Sequence, residues 1–446
     1  MKILCVSLGC DKNLVDTEMM LGLLNRDGHT FTDDENEADI IVVNTCCFIN
    51  DAKEESVNTI LEMAELKKTG KCKALIVTGC MAQRYKQEIL DEIPEVDGIL
   101  GTSTYDEISN VLKQALGGEE HISCFHDLNV LPEVETERVI TTGGHYAFLK
   151  IAEGCDKHCT YCIIPSLRGN YRSVPMERLL KEANQLADQG VRELILVAQE
   201  TTLYGVDLYG KKMLPELLHK LAEIPGIYWI RIQYCYPEEI TDELIAALRT
   251  EEKVCHYLDV PIQHASDRIL KRMGRRTNQA QLREIIGKLR AAVPDIALRT
   301  TMIAGFPGET QEDHEEVMRF VDEMEFERLG VFTYSAEEDT PAATFPDQIP
   351  EEVKEERRDE IMELQQEIAF EKSESMVGRV LDVMIEGKVA DEAAYVGRTY
   401  MDAPNVDGYI FVNSGELFMS GDFVRVKVIG SNDYDLIGEV YHESAE

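Results

Sequence analysis

Short, continuous apolar runs, each followed by a helical pattern, set the architecture of this chain. In the first third they fall at residues 2–7, 38–43 and 74–78. Runs that are apolar throughout, rather than alternating, suit strands of a parallel sheet covered by helices on both faces. The pattern resumes at residues 146–151, 193–197, 227–232, 256–260, 296–303 and 329–334, with segments of roughly ten to fifteen helical residues between them. A second parallel series, of six βα units, is therefore expected. Six is fewer than the eight of a closed βα barrel, and the active site should lie at the carboxyl ends of the strands. Between the two series, residues 115–121 and 130–137 lose periodicity and gain Gly, Pro and charge, which reads as a linker.

The character changes after residue 350. Val353, Ile361, Leu364 and Ile368 recur at roughly helical spacing and predict a long amphipathic helix leading out of the second series. Residues 377–385, 408–412 and 422–429 then alternate apolar and polar positions, and a turn at 430–435 leads into 436–441. A small antiparallel β-barrel is expected there. At 446 residues the chain is long enough for two or three domains with cores of their own.

Twelve cysteines in a chain of this length point to thiols kept reduced for metal work rather than to disulfides. Cys155, Cys159 and Cys162 have the spacing C-x-x-x-C-x-x-C just after the run at 146–151, so one compact loop can aim three thiols at one site. A structural zinc site usually closes with four protein ligands, whereas a cubane 4Fe-4S cluster on three cysteines keeps one iron open. A zinc knuckle or a chance group of buried thiols is the competing reading, but no nearby fourth Cys completes it. Cys10, Cys46 and Cys80 each fall two or three residues beyond one of the first three strands. Open α/β sheets bind ligands in that crevice, so these thiols are expected to converge as ligands of a second cluster. The alternative is three buried small apolar side chains. Cys47 competes with Cys46, which the spacing favours. Cys5, Cys72, Cys124, Cys235 and Cys255 are assigned to cores or surfaces.

The C-x-x-x-C-x-x-C loop, with Tyr161 just before its last cysteine, resembles the radical S-adenosylmethionine (SAM) superfamily, in which the SAM amino and carboxylate groups chelate the open iron. The whole chain resembles the methylthiotransferases: a flavodoxin-like domain with three cysteines (1–118), a linker (119–140), a partial (βα)6 radical-SAM barrel (141–372) and a small antiparallel TRAM β-barrel (375–446). One branch of that family acts on an adenosine of tRNA and another on an aspartate of ribosomal protein S-twelve. Leu8-Gly-Cys-Asp-Lys-Asn-Leu-Val-Asp16, Tyr234-Cys-Tyr-Pro237 and Pro261-Ile-Gln-His-Ala-Ser266 resemble the second branch. The resemblance implies SAM and two 4Fe-4S clusters, one on Cys155, Cys159 and Cys162 that binds SAM, and one on Cys10, Cys46 and Cys80 that carries the extra sulfur. It also implies a methylthio group added to the β-carbon of the target aspartate, and a reductant protein such as flavodoxin or ferredoxin. The rival readings are a tRNA adenosine substrate and a two-cluster electron carrier. The carrier leaves the third domain and the SAM-like loops unexplained.

Those loops follow the barrel strands. Gln199 and Glu200, after 193–197, offer an amide and a carboxylate to the cofactor. Gly305 and Gly308, after 296–303, would let the backbone approach a ligand closely. An ordinary βα turn punctuated by Gly and Pro is the plainer alternative. Gln263 and His264 follow the fourth strand, with cofactor contact, substrate contact and a purely structural role all open. The basic run Lys271-Arg-Met-Gly-Arg-Arg276 reads as a solvated loop.

Charge bears on the partner. With 83 acidic and 45 basic residues the formal net charge is -38, whereas RNA binding calls for a basic surface. An acidic enzyme attracts a basic protein instead, and ribosomal proteins are generally basic; acidity that serves only solubility is the alternative. The C-terminal module is acidic too, and Asp402, Asp407 and Glu416 are expected to face the partner. RNA is not expected to bind. The apolar start is shorter than a signal-peptide core and reads as a strand, and no apolar stretch approaches the roughly 20 residues of a membrane helix. A cytoplasmic protein is expected.

Overall fold

The computed structural model describes residues 1–134 and 136–442. Glu135 of the expected linker and residues 443–446 of the expected C-terminal module lie outside the described residues. The first unit is a six-stranded parallel sheet in the order Thr30–Phe31, Lys2–Ser7, Ile40–Thr45, Ala74–Gly79, Gly98–Leu100, Ile122–Cys124. The chain's own order is 2-1-3-4-5-6, the flavodoxin-like winding. Successive residues of each strand enter opposite layers, which is why the strands read as unbroken apolar runs. Ile41, Val43, Leu75 and Val77 pack with Ile60 and Met63 of the helix Asn50–Thr69. On the other face Ile3, Ile40, Val42 and Ile76 pack with Met20 and Leu24 of Asp11–Arg26 and with Val111 and Leu112 of Ile108–Leu116. The strand Ile122–Cys124 lies in the stretch expected to be linker, so the sheet continues past residue 118.

The second unit is six parallel strands in chain order, Tyr146–Lys150, Glu193–Val197, Trp229–Ile232, Val254–Asp259, Ala297–Ala304 and Arg328–Thr333, with the first and last as edges. Leu149, Leu194, Leu196, Ile230, Ile232 and Leu298 face the outer helices, against side chains such as Leu179, Leu217, Leu244, Leu282 and Phe320. Strand alternation turns their neighbours Lys150, Glu193, Arg231, Asp259 and Arg299 into the lumen, beside an inner apolar group of Tyr146, Phe148, Ile195 and Val197.

The helix Glu351–Ser375 leads out of this open barrel into a closed five-stranded barrel, ordered Val380–Lys388, Ala394–Arg398, Ile410–Asn413, Asp435–Val440, Phe423–Asn432. It is not wholly antiparallel as expected. Four pairings are antiparallel, but Ile410–Asn413 runs parallel to Asp435–Val440, because the chain returns through Phe423–Asn432 before reaching that edge.

The small barrel plugs the amino-terminal mouth of the large one. Trp229, Cys255, Tyr257 and Ala297 of the large barrel share a core with Val383, Met384, Ile385 and Met401. Around that core Glu193 bridges Arg231 (2.7 Å) and Arg398 (2.7 Å), and Asp402 accepts from Arg328 at 2.5 Å. Asp407 accepts from the Tyr257 hydroxyl at 2.9 Å and pairs with Arg299 at 3.4 Å. Asp402 and Asp407 therefore do not face a partner, because arginines of the large barrel have drawn them inward. Glu416 is exposed.

The first unit covers the opposite, carboxyl-terminal mouth, attached on both sides of the gap. Near the first barrel strand, Asp16 pairs with Lys150 and with Arg168. Beyond the last strand, Glu337 pairs with Arg84 (3.1 Å) and Lys53 (2.8 Å).

Candidate active site

Cys10, Cys46 and Cys80 of the first unit stand beyond strand ends, in places set by backbone geometry. Gly9 adopts φ +85°, and a Cβ there would fall 2.5 Å from the Cys46 Cβ and 2.8 Å from its Sγ. Glycine thus lets the Cys10 loop close over Cys46. Gly79, at φ +91°, makes the same kind of approach before Cys80, where a Cβ would meet Asn44 Oδ1 at 2.3 Å. Asn13 ties the three loops together: its amide donates to the carbonyls of Leu8 and Thr45, each at 3.0 Å, and its Oδ1 lies 3.9 Å from Cys80 Sγ. The Ser56 hydroxyl clamps Cys46, accepting from its N–H at 3.0 Å and donating to its carbonyl at 2.7 Å. Burial, then the neighbouring Cys10, pushes the Cys46 thiol up. Burial also pushes Cys80 up, opposed by Arg168 and reinforced by Cys46, Cys47 and Cys10. These thiols therefore lie within reach of one another's charge. Burial pushes the Cys47 thiol up to about 12, against the pull of the Arg84 guanidinium beside it, whereas the Gly9 turn before Cys10 closes on Cys46.

The second triad lies on the loop after the barrel's first strand. Gly154, at φ +81°, leaves no room for a Cβ, which would meet the Asn170 carbonyl oxygen at 2.1 Å. Cys155 N–H donates to the Gly169 carbonyl (3.1 Å) and Cys162 N–H to that of Cys159 (3.0 Å), curling the loop so that its thiols gather. Burial pushes Cys155 up to about 11 and Cys162 further, with the charge of Cys159 adding to both. The Tyr236 hydroxyl stands 3.7 Å from Cys159 Sγ under the Arg275 guanidinium, and Tyr161 meets Phe306 edge-on. Among the described residues no three Cys, His, Asp or Glu side chains are drawn in around a single ion. A cubane cluster asks for something wider, since each thiolate binds a different iron.

Gln199 and Glu200 both stand beside this triad. Gln199 accepts from the Gly154 N–H at 2.8 Å and donates to Glu153 at 2.7 Å. Glu200 is wholly buried; Thr202 satisfies its Oε1, while its Oε2 has no hydrogen-bond partner and lies 3.8 Å from Lys157 Nζ. Burial pushes the Glu200 carboxyl up to about 7. A buried, unpartnered carboxylate oxygen beside the Cys155–Cys162 loop suits a cationic group.

The other strand-end residues divide. A Cβ on Gly305 would strike Lys354 Cγ at 2.2 Å, and its N–H donates to Glu309 at 2.8 Å. A Cβ on Gly308 would meet Arg272 Nη1 at 2.9 Å, and its N–H donates to the Asp347 carbonyl at 2.8 Å. The close approach both glycines permit is to protein atoms, and both N–H groups are used. His264 accepts from the Ser266 N–H at 2.9 Å, and its Nε2 lies 3.5 Å from Glu309. Gln263 sits at φ +73°, its N–H donating to the Thr301 carbonyl and its carbonyl accepting from the Ile303 N–H along one edge of the strand Ala297–Ala304.

Sequence reading missed the residues between the triads. Tyr234, at φ +61°, donates its hydroxyl to Asp11 at 3.0 Å, while the Lys12 ammonium sits 3.3 Å from its ring centroid. Asp16, Lys150, Glu153 and Arg168 form a buried ion quartet spanning the two units. Although burial works against it, Arg168 and Lys150 hold the Glu153 carboxyl well below the usual range. No local motif encodes these contacts; the backbone carries the trace, since His158, Tyr234 and Gln263 are non-glycine residues in the left-handed region.

Comparison with known proteins follows the same three parts. Residues 2–101 match the family model described as "Uncharacterized protein family UPF0004", residues 149–321 the radical SAM superfamily, and residues 377–440 the TRAM domain. A protein of Lachnoclostridium phytofermentans named ribosomal protein uS12 methylthiotransferase RimO is 68% identical over 438 residues, covering 98% of this chain and 99% of that one. Proteins of the same name from Acetivibrio thermocellus and Clostridioides difficile are 52% and 49% identical, each over 100% of this chain and 99% and 100% of their own. Among solved structures, the radical SAM methyltransferase TsrM of Kitasatospora setae, with cobalamin and a [4Fe-4S] cluster bound, superposes with a TM-score of 0.55 at 13% identity, covering 76% of each chain. At that identity it shows the fold alone.

Proposed function

The chain belongs to the uS12 methylthiotransferases of the radical SAM superfamily, and from that premise we propose how its residues share the work. It is a transferase that uses SAM and two 4Fe-4S clusters to add a methylthio group to the β-carbon of an aspartate in ribosomal protein uS12. The tRNA and electron-carrier readings are set aside by full-length relatives at 49–68% identity that carry the uS12 name.

In our reading Cys155, Cys159 and Cys162 hold the cluster that takes SAM, and Cys10, Cys46 and Cys80 hold the second. When bound, these groups supply the radical and sulfur-transfer chemistry. The chain's residues orient and enclose them. Gln199 fixes the Gly154–Cys155 turn, and Glu200 offers its free oxygen to a cationic group of the cofactor. Gly305 and Gly308 drop out of the cofactor set, since their close approaches are taken by Lys354 and Arg272. The plugged amino mouth and the covered carboxyl mouth keep water from the lumen. The observation that carries the reading is the facing of the two triads across one interface, joined by the quartet of Asp16, Lys150, Glu153 and Arg168.

Three finer points belong to the same proposal. The first unit ends after Cys124 rather than at 118, the radical-SAM barrel spans 141–372 and the TRAM barrel starts at 375. A flavodoxin or ferredoxin supplies the electrons, RNA is not a partner, and the enzyme works in the cytoplasm. Among the described residues no helix is long and apolar enough to cross a membrane. Mass spectrometry of ribosomal protein and of tRNA from cells lacking this chain tests the function. Loss of the methylthio mark on uS12, restored by the chain but not by its Cys155→Ala variant, is the expected result. An unchanged uS12 with an altered tRNA would sink it.

A further inference from the structure

We infer that Arg168 is a positioning residue for the second cluster: it donates an N–H to the sulfur of Cys80 and thereby raises that cluster's reduction potential. The inference rests on the proposed assignment of Cys10, Cys46 and Cys80 as the ligands. Arg168 ends the short helix Ile164–Arg168, just past the barrel triad, yet its side chain crosses into the first unit and is 2% exposed. Nη1 donates to Asp16 Oδ2 (2.8 Å) and Glu153 Oε2 (3.0 Å). Nη2 donates to Asn13 Oδ1 and lies 3.7 Å from Cys80 Sγ. The planar guanidinium is thus fixed on three sides, and its remaining direction points at the sulfur.

Among the described residues, Arg168 is the side chain that turns a donor toward the Cys80 sulfur. Asn13 also stands against the sulfur, but its amide donors are spent on Leu8 and Thr45, so it turns an acceptor toward Cys80. Most of the other neighbours of Cys80 are apolar, among them Val77, Met81 and Leu167. Hydrogen bonds to ligand sulfurs draw electron density from a cluster and make it easier to reduce. Net charge adds little, because Asp16 and Glu153 balance Arg168 and Lys150. Lysine carries the same charge but cannot span Asp16, Glu153, Asn13 and Cys80 from one rigid plane.

The test starts from the chain with Cys155, Cys159 and Cys162 all changed to Ala, so that only the second cluster loads, and follows its midpoint potential by EPR during redox titration. Arg168→Lys in that background should shift the midpoint to more negative values while iron stays at about four per chain. An unmoved midpoint at full iron content overturns the inference. In the converse Cys10→Ala, Cys46→Ala, Cys80→Ala chain, Arg168→Lys should leave the barrel cluster's midpoint in place; an equal shift in both marks a general structural effect and also overturns it. A measurement with Arg168 intact guards against misfolding of the variant. Pulsed EPR of the reduced second cluster in protein labelled with [15N]arginine should show a weak nitrogen coupling, and its absence counts against the contact. If the triple variant takes up no iron at all, the ligand assignment itself falls and this inference with it, a result distinct from a loaded cluster with an unmoved midpoint.

Discussion

Gln199 and Glu153 meet beyond the carboxyl ends of two adjacent strands of the large barrel, the Gln199 amide donating to the Glu153 carboxylate at 2.7 Å. Because the Gln199 carbonyl also holds the Gly154 N–H, one side chain sets the turn that launches Cys155. Gln199→Leu keeps the bulk but leaves that N–H and an oxygen of Glu153 without their partner, a cost of about 1–3 kcal/mol. We expect SAM binding roughly tenfold or more weaker, measured by equilibrium dialysis, with iron content unchanged. Undiminished binding would show that Gln199 does not organise the site.

The two triads should be separable. Cys155→Ala, Cys159→Ala or Cys162→Ala should abolish reductive SAM cleavage, whereas Cys10→Ala, Cys46→Ala or Cys80→Ala should leave cleavage and stop methylthio transfer. Anaerobically reconstituted wild type should hold about eight irons, and either kind of variant about four. Loss of all iron from a first-unit variant would contradict two independent clusters.

What the sequence revealed and hid follows from distance along the chain. The placing of Cys155, Cys159 and Cys162 on one loop was legible because they are close in sequence, and that of Cys10, Cys46 and Cys80 beyond strand ends because each follows a run that is apolar for a local reason. The strands Thr30–Phe31, Gly98–Leu100 and Ile122–Cys124 were missed, being too short to show a period. Ala394–Arg398 was missed because Arg398, on the buried side, breaks the alternation; it is held by Glu193, 205 positions away, together with Glu386 of the neighbouring strand. Arg168 reaches Asp16 across 152 positions and Tyr234 reaches Asp11 across 223, so neither left a local pattern. Asp402 and Asp407 were misread as surface acids for the same reason, since their arginines come from another unit.

Glu200 gives the protein a pH signature. Burial raises its carboxyl from 4.5 to about 7, with Thr202 and Lys157 pulling the other way. The folded state therefore holds this proton more tightly than the unfolded state. Below the ordinary value the group has no effect; stability falls as pH rises from there through 7 and stays at the lower level above it. The penalty at alkaline pH is up to about 3 kcal/mol. Glu200→Gln removes it, so the cofactor-free variant should melt at a higher temperature than wild type at pH 8 and show little difference at pH 5. An equal difference at both values would rule out burial of the carboxylate as the cause.

Glu193 should matter more for assembly of the units than any surface acid. Burial disfavours its charge, but Arg398 and Arg231 hold its carboxyl below the ordinary range. Glu193→Gln leaves two buried guanidinium groups facing a neutral amide, a loss of about 3–5 kcal/mol. Urea unfolding should show that loss, and limited proteolysis should release the C-terminal barrel early. A variant as stable as wild type would mean that the apolar contacts around Trp229 and Tyr257 hold the plug alone.

Partner recognition can now be tested with acids that are actually exposed. From Glu374 to Glu446 the sequence carries 14 acidic and 5 basic residues, and Glu392, Glu416 and Glu439 remain at the surface once Asp402 and Asp407 are taken inward. If they steer the basic ribosomal protein, their effect lies in the rate of encounter and is screened by salt, since the Debye length is about 8 Å at physiological ionic strength. Reversing all three to Lys should slow association with uS12 about tenfold at low salt, with the gap closing as salt rises, while melting temperature and SAM cleavage stay as in wild type. Stopped-flow association at two ionic strengths decides it. Equal association rates for wild type and the triple variant at low salt would remove charge steering by this module. Tighter binding of tRNA than of uS12 by the wild-type chain would defeat the charge argument as a whole.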